Sequence, residues 1–169
     1  SLILHGNPAM AAFNWQSLAG VAGNITFTAN NNLCVLSFLA LSTAGQFDDE
    51  DSHGSYFDFD DSSVVHVSDN AALAEINLPQ IVSIFGDFNV AGNGGLNTIS
   101  APGLSLIAGD LVIEDSDIQE LDLQDLQLVS GDVSIMNNND LMSISSSGAV
   151  VNGDVTIIQN YALTHINFS

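Results

Sequence analysis

Cationic side chains are absent from this sequence. Its 169 residues include no lysine and no arginine but 20 aspartate and glutamate residues, which gives a formal net charge of −20 at pH 7. Binding to DNA or RNA needs cations against the phosphates, and phosphoryl transfer depends on similar charges. The composition therefore excludes nucleic acids and argues against anionic membranes and polyanionic substrates as partners.

Cysteine and long apolar runs are also scarce. Cys34 is the single cysteine, so no disulfide can form within the chain. No run approaches the roughly 18 apolar residues that a membrane-spanning helix needs, so we expect no membrane insertion. Apolar residues nevertheless make up 46% of the chain, which is enough to build the core of one domain over residues 1–169.

The acidic side chains are mostly aspartate, with 16 Asp and 4 Glu. Three environments make such a charge tolerable: high salt screens the repulsion, low pH neutralises carboxylates, and divalent cations bind them directly. The composition does not choose among the three.

An internal repeat is the most informative feature of the sequence. Gly-Asp pairs that begin at Gly86, Gly109, Gly131 and Gly153 each precede alternating apolar residues, as in "GDVSI", at spacings of 23, 22 and 22. Alternation of this kind predicts short strands with one buried face. Because one repeat cannot bury its apolar face alone, successive repeats must stack. We therefore predict an all-β, parallel β-solenoid of about eight coils of 22–23 residues, with little helix.

A corner residue recurs after the first strand of each coil. Asparagine stands three residues before a Leu or Met in six coils, and Asp115 takes the place in a seventh; the asparagines are Asn7, Asn30, Asn70, Asn93, Asn138 and Asn160. Asn and Asp tolerate left-handed backbone and bond their own main chain, so they suit a tight corner. Stacked asparagines can also form a hydrogen-bonded ladder, and the recurrent glycine is expected to serve a second corner.

These G-D-h-x-h…N-x-x-L-x-x-I units, where h is an apolar residue, resemble the receptor L domain, a solenoid with leucine-rich-repeat character. That family includes ligand-binding modules of insulin-type and EGF-type receptors, and related repeats of GPI-anchored fungal cell-wall proteins and bacterial surface proteins. The resemblance implies an extracellular or cell-surface location without implying a particular ligand.

The segment 46–63, "QFDDEDSHGSYFDFDDSS", interrupts the repeat with 7 of the 20 acidic residues. We interpret it as a degenerate acidic coil or a loop. Within it, "DEDSHGSYFDFD" is similar to an EF-hand calcium loop, with Gly54 at the sharp turn. The predicted Ca²⁺ ligands are Asp49, Asp51, His53, Asp60 and the Ser55 carbonyl. A transition-metal site that uses His53 and a solvated loop without metal are the alternatives.

No catalytic arrangement stands out, because paired acids do not recur outside segment 46–63 and polyuronate lyases of similar architecture need Arg or Lys. We therefore expect no enzyme. Two functions remain: an extracellular structural or adhesive surface protein, or a ligand- or carbohydrate-binding ectodomain module of a larger cell-surface protein. The first is favoured, because neither Ser1 nor Ser169 is flanked by Lys, Pro or a helix that would cover a strand edge. The expected partners are further copies, stacked head to tail as a filament, or cell-wall components.

Overall fold

The computed structural model describes residues 1–45 and 65–167, which contain 20 short strands and no helix. In chain order the strands are β1 (Leu2–His5), β2 (Ala12–Trp15), β3 (Gly20–Val21), β4 (Ile25–Thr28), β5 (Val35–Phe38), β6 (Thr43–Ala44), β7 (Val65–Ser68), β8 (Glu75–Asn77), β9 (Ser83–Ile84), β10 (Phe88–Ala91), β11 (Thr98–Ser100), β12 (Leu106–Ile107), β13 (Leu111–Glu114), β14 (Glu120–Leu123), β15 (Leu128–Val129), β16 (Val133–Met136), β17 (Ser143–Ser146), β18 (Val150–Val151), β19 (Val155–Ile158) and β20 (His165–Asn167).

The strands form a three-sided parallel β-solenoid, which confirms the predicted class of architecture. The first face is a seven-stranded sheet in the order β1-β4-β7-β10-β13-β16-β19, and the third face is a six-stranded sheet that runs from β3 to β18. The second face consists of two sheets, one of β2, β5, β8 and β11 and one of β14, β17 and β20. Each pairing is parallel and in register, so equivalent residues of successive coils lie above one another.

The described residues form six complete coils and two strands of a seventh, fewer than the eight predicted. Strand β4 pairs directly with β7, β5 with β8 and β6 with β9. The second and third coils are therefore neighbours in the stack on all three faces. The segment 46–63, which we predicted to be a degenerate coil or loop, lies outside the described residues.

Alternate residues of each strand build the core. Ile25 and Phe27 are 1% and 0% exposed, whereas Thr26 and Thr28, which point to the other side of the strand, are half-buried. Phe27 packs against Phe13 and Phe38, with ring centroids 4.9 and 6.0 Å away. Edge-to-face contacts of this kind add to the free energy gained from burial, so the aromatic residues hold the first coils together.

Candidate functional site

A ladder of asparagine side chains runs along the corner that follows the first face. The Oδ1 of Asn70 accepts the backbone N–H of Asn30 at 3.0 Å, and the Oδ1 of Asn93 accepts that of Asn70 at 3.0 Å. The Nδ2 of Asn70 donates to the carbonyl oxygens of Phe27 and Ser68, both at 2.9 Å. Asn30, Asn70 and Asn93 are 0% exposed. The predicted ladder is thus present, and it satisfies backbone groups that the corner would otherwise bury unpaired.

The left-handed residue at this corner is the residue before each asparagine. Positive φ angles occur at Gly6, Ala29, Asp69, Gly92, Asp115, Asn137 and Gln159. The expectation that the ladder asparagines themselves adopt left-handed backbone was therefore wrong. Asp115, which we placed in the ladder, has a φ of 48° and occupies this preceding position.

Ser116 occupies the ladder position of the fifth coil. Its N–H donates to the Asn138 Oδ1 at 3.2 Å, as an asparagine's would, but its Oγ donates to the Glu114 carbonyl oxygen at 3.0 Å. Only one residue separates Ser116 from Ile118, whereas two separate Asn93 from Leu96, so this corner is one residue shorter. The serine was missed because the Asp115-to-Ile118 spacing imitates the repeat.

The shorter corner coincides with the break in the second face. Strands β11 and β14 belong to different sheets, and a groove of about 430 Å³ lies there. Its polar wall includes Asn97, Ser100, Gln119, Glu120 and Asp122. The groove offers amide, hydroxyl and carboxylate groups to a neutral polar ligand.

A second column, of aspartates, runs along the corner that precedes the first face. The Oδ1 of Asp87 accepts the N–H of Asp110 at 2.8 Å, the Oδ1 of Asp110 accepts that of Asp132 at 2.7 Å, and the Oδ1 of Asp132 accepts that of Asp154 at 2.8 Å. The aspartates of the Gly-Asp repeats thus link each coil to the next.

The glycines of these pairs are required by close approach. A Cβ built on Gly109, Gly131 or Gly153 would lie 2.1, 1.9 or 2.1 Å from the aspartate Oδ1 of the preceding coil. These three glycines lie at the corner before the first face, as expected, but none of them has a positive φ, whereas Gly86 of the fourth pair has a φ of 147°. At the three positions the requirement for glycine is therefore steric. Only glycine leaves room for the carboxylate of the coil below.

The predicted metal ligands Asp49, Asp51, His53, Ser55 and Asp60 lie outside the described residues. Within residues 1–45 and 65–167, no group of three His, Cys, Asp or Glu side chains is placed to hold a metal ion. In the same part of the chain, no helix is long and apolar enough to cross a membrane.

The two end coils of the described solenoid expose layers of its core. Val133 is 7% exposed and Val155, its partner in the next coil, is 52% exposed; Ile144 is 1% exposed and its partner Ile166 is 48% exposed. At the opposite end, the inward-facing Leu2 and Leu4 are half-buried. The end coils therefore present apolar layers bordered by polar ladders.

Comparison of the chain with models of known protein families, with curated proteins and with solved structures found no match in any of the three.

Proposed function

We propose that this chain is a structural or adhesive protein of an extracellular surface, in which solenoids stack head to tail into filaments. The observation that supports the proposal most directly is the complementarity of the two end coils. Each has an apolar layer, so stacking would bury Val155 and Ile166 of one copy against Leu2 and Leu4 of the next. Burial of apolar surface is the main favourable term in association.

The hydrogen-bonding groups at the two ends are also complementary. Among the described residues, none donates to the Asn7 Oδ1 and none accepts from the Asn160 N–H. In the ladder, each asparagine N–H donates to the Oδ1 of the following coil. An Asn160 N–H placed under the Asn7 Oδ1 of another copy would continue the ladder across the interface. Because the two end surfaces differ, repeated stacking gives an open filament unless the rotation closes.

The charge of the sides favours separate filaments. With a net charge of −20 and no cationic side chain, lateral contact between two solenoids brings carboxylates together. Like charges on exposed surfaces repel within the Debye length, so growth along the axis is favoured over bundling. Ca²⁺ bound by the acidic stretch at 46–63 would lower the repulsion and permit lateral contact.

We also propose an extracellular or cell-surface location and leucine-rich-repeat, L-domain-like character for this chain. Both are inferred from the G-D-h-x-h and N-x-x-L units, which resemble those of receptor L domains and wall-protein repeats. Cell-wall components are the second class of partner, since divalent cations can bridge the carboxylates of an acidic solenoid and those of a wall matrix.

The proposal is tested by multi-angle light scattering and electron microscopy of the purified chain at micromolar concentration. We expect polymers whose mass grows with concentration. Val155→Asp places a charge in the exposed core layer and should abolish them. Thr156→Asp adds the same charge at the neighbouring outward position of β19 and should leave them intact. A wild-type chain that stays monomeric for days, with and without calcium, contradicts the proposal.

The polar groove between β11 and β14 favours a second candidate, a ligand- or carbohydrate-binding module of a larger surface protein. Its amide and carboxylate groups suit the hydroxyl groups of a neutral sugar. Calorimetric titration with neutral oligosaccharides tests this function. Glu120→Gln, in the groove, should weaken binding, whereas Glu75→Gln, elsewhere on the second face, should not.

A further inference from the structure

The strands of the third face carry no charged side chain. Each is two residues long, and the second residue points inward, as Ile84, Ile107 and Val129 do at 0% exposed. The first residue of each strand stands at an outward position, and these residues are Gly20, Thr43, Ser83, Leu106, Leu128 and Val150. Among the described residues, the strands of the other two faces carry acids, which are Glu114 on the first face and Glu75, Glu120 and Asp122 on the second.

The residues beside these strands are uncharged as well. In each of six coils, the strand and the residues directly before and after it form a segment without Asp, Glu or His; the segments are 19–22, 42–45, 82–85, 105–108, 127–130 and 149–152. Because the strands pair in register, the segments lie above one another as a continuous band, which we call the uncharged strip. The chain has a net charge of −20 and no cationic side chain, so a charge-free side sets this part of the surface apart.

Part of the uncharged strip is apolar. Leu106, Leu128 and Val150 are successive partners in the register of the third face, about 4.8 Å apart, and Val82 beside this row is 47% exposed. Outward positions of a sheet that faces water are normally polar, and contiguous exposed apolar residues mark interaction sites. The row lies in the fourth to sixth coils, away from the second and third coils, which segment 46–63 connects.

We propose that the uncharged strip is the contact surface for a second copy of this chain, which packs side by side with the first. On the other sides, a second copy would bring its carboxylates against those of the first, and like charges repel within the Debye length. A second copy also presents an identical apolar row, so pairing removes both rows from water. A cationic partner would instead favour the acidic sides of the solenoid.

The aspartate column determines how the two copies are oriented. The column begins two residues after the uncharged strip and borders one edge of it, whereas the opposite edge has Asp125 alone among the described residues. A two-fold axis parallel to the solenoid axis places the column of each copy beside the opposite edge of the other, and an axis across the solenoid brings the two columns together. We therefore infer a parallel pair, in which Leu106 and Leu128 meet their own equivalents. A closed two-fold pair covers the strip of both copies, so larger bundles do not follow.

The size of the uncharged strip indicates a weak pair. Six strands at a spacing of about 4.8 Å and four residues at a rise of about 3.3 Å give a footprint of roughly 400 Å² on each copy. The total of about 800 Å² lies at the low end of specific interfaces. We therefore expect a dissociation constant on the order of 10–100 µM.

The test is sedimentation equilibrium of the Val155→Asp chain, in which head-to-tail stacking is blocked, at concentrations below and above that dissociation constant. We expect a reversible equilibrium between the 17.7 kDa monomer and a dimer. Leu128→Asp, added to this chain, should weaken the dimer at least about tenfold, because it buries a charge at the centre of the contact. Val112→Asp adds the same charge at a half-buried outward position of β13, on the first face, and should leave the dimer unchanged. If Leu128→Asp does not fold by circular dichroism, Leu106→Ser, which restores the residue type of the third coil, takes its place.

A second pair of variants tests the orientation. Gln127→Glu adds a charge at the edge that faces the partner's aspartate column in the parallel pair, and it should weaken the dimer more than Ser130→Asp, which lies at the other edge. The reverse order would show that the two-fold axis crosses the solenoid. A chain that stays monomeric at every concentration, or a dimer that Leu128→Asp and Leu106→Ser leave intact, overturns the proposal. Neither result bears on filament formation, because stacking is blocked in all of these chains.

Discussion

Replacement of Asn70 by alanine tests how much the asparagine ladder contributes to the stability of the solenoid. The Asn70 side chain is 0% exposed. Its Oδ1 accepts the Asn30 N–H, and its Nδ2 donates to the carbonyl oxygens of Phe27 and Ser68. Alanine leaves the buried Asn30 N–H without its acceptor, which costs about 2 kcal/mol, and removes the net contribution of the donated bonds, about 1 kcal/mol more. We expect the free energy of unfolding to fall by about 3 kcal/mol.

The measurement is equilibrium unfolding in urea, followed by far-UV circular dichroism. Asn7→Ala is the matched control, because Asn7 occupies the same ladder position in the first coil but is exposed. After that substitution the Asn30 Oδ1 still has a backbone donor, the Asn7 N–H, so the loss should stay below about 1 kcal/mol. Equal losses for Asn70→Ala and Asn7→Ala would refute the idea that the buried ladder stabilises the corner.

Three further substitutions or additions test other parts of the structure. Asn70→Asp replaces an amide donor by a buried carboxyl group, and burial should raise the pKa of that group in the folded state above the roughly 3.9 of an unfolded aspartate. Relative to the wild type, the variant should therefore be more stable at pH 4 than at pH 7. A difference in urea midpoint that does not change with pH would contradict this. Gly131→Ala brings a Cβ to 1.9 Å from the Asp110 Oδ1 and should lower stability by about 2 kcal/mol or more, whereas Gly94→Ala, with no atom within 4 Å, should change it little. Calcium at millimolar concentration should raise the melting temperature by binding to the predicted site in segment 46–63. Identical melting curves in calcium and in chelator would contradict the prediction of that site.

The sequence was sufficient to predict the solenoid because the repeat imposes its geometry on every coil. The alternation in "GDVSI" makes strands with one buried face, and a repeat of 22–23 residues brings equivalent strands into parallel register. The number of coils was less predictable, since segment 46–63 could be counted as a short coil by length alone. The direct pairing of β4 with β7 depends on contacts between residues 40 positions apart, which periodicity does not reveal.

The roles of individual corner residues were predicted less well than the corners themselves. Asparagine was assigned two functions at once, left-handed backbone and the ladder, but the structure divides them between adjacent residues such as Ala29 and Asn30. Composition gives no reason for an alanine to adopt positive φ; the hydrogen bonds of the following asparagine hold it there. Similarly, the glycines at Gly109, Gly131 and Gly153 are explained only when the aspartate of the preceding coil is in place.

Two corners among the described residues depart from the repeat, and one changes the surface of the solenoid while the other changes its core. The corner at Ser116 is one residue short and coincides with the break in the second face, which gives a polar groove open to solvent. The corner at Gly148 is also one residue short, and Ser146 and Gly148 stand in the sixth coil where the fifth coil has Leu123 and Leu126, so the sixth coil contributes less apolar volume to the core. Because all other coils maintain the ladder and the packed core, neither change is needed to form the solenoid. Ser116→Asn and Ser146→Leu each supply the side chain that a neighbouring coil carries while leaving the length of the corner unchanged, and both should therefore preserve the fold and stabilise it. A loss of stability in both variants would show instead that the serine side chains are required at these shortened corners.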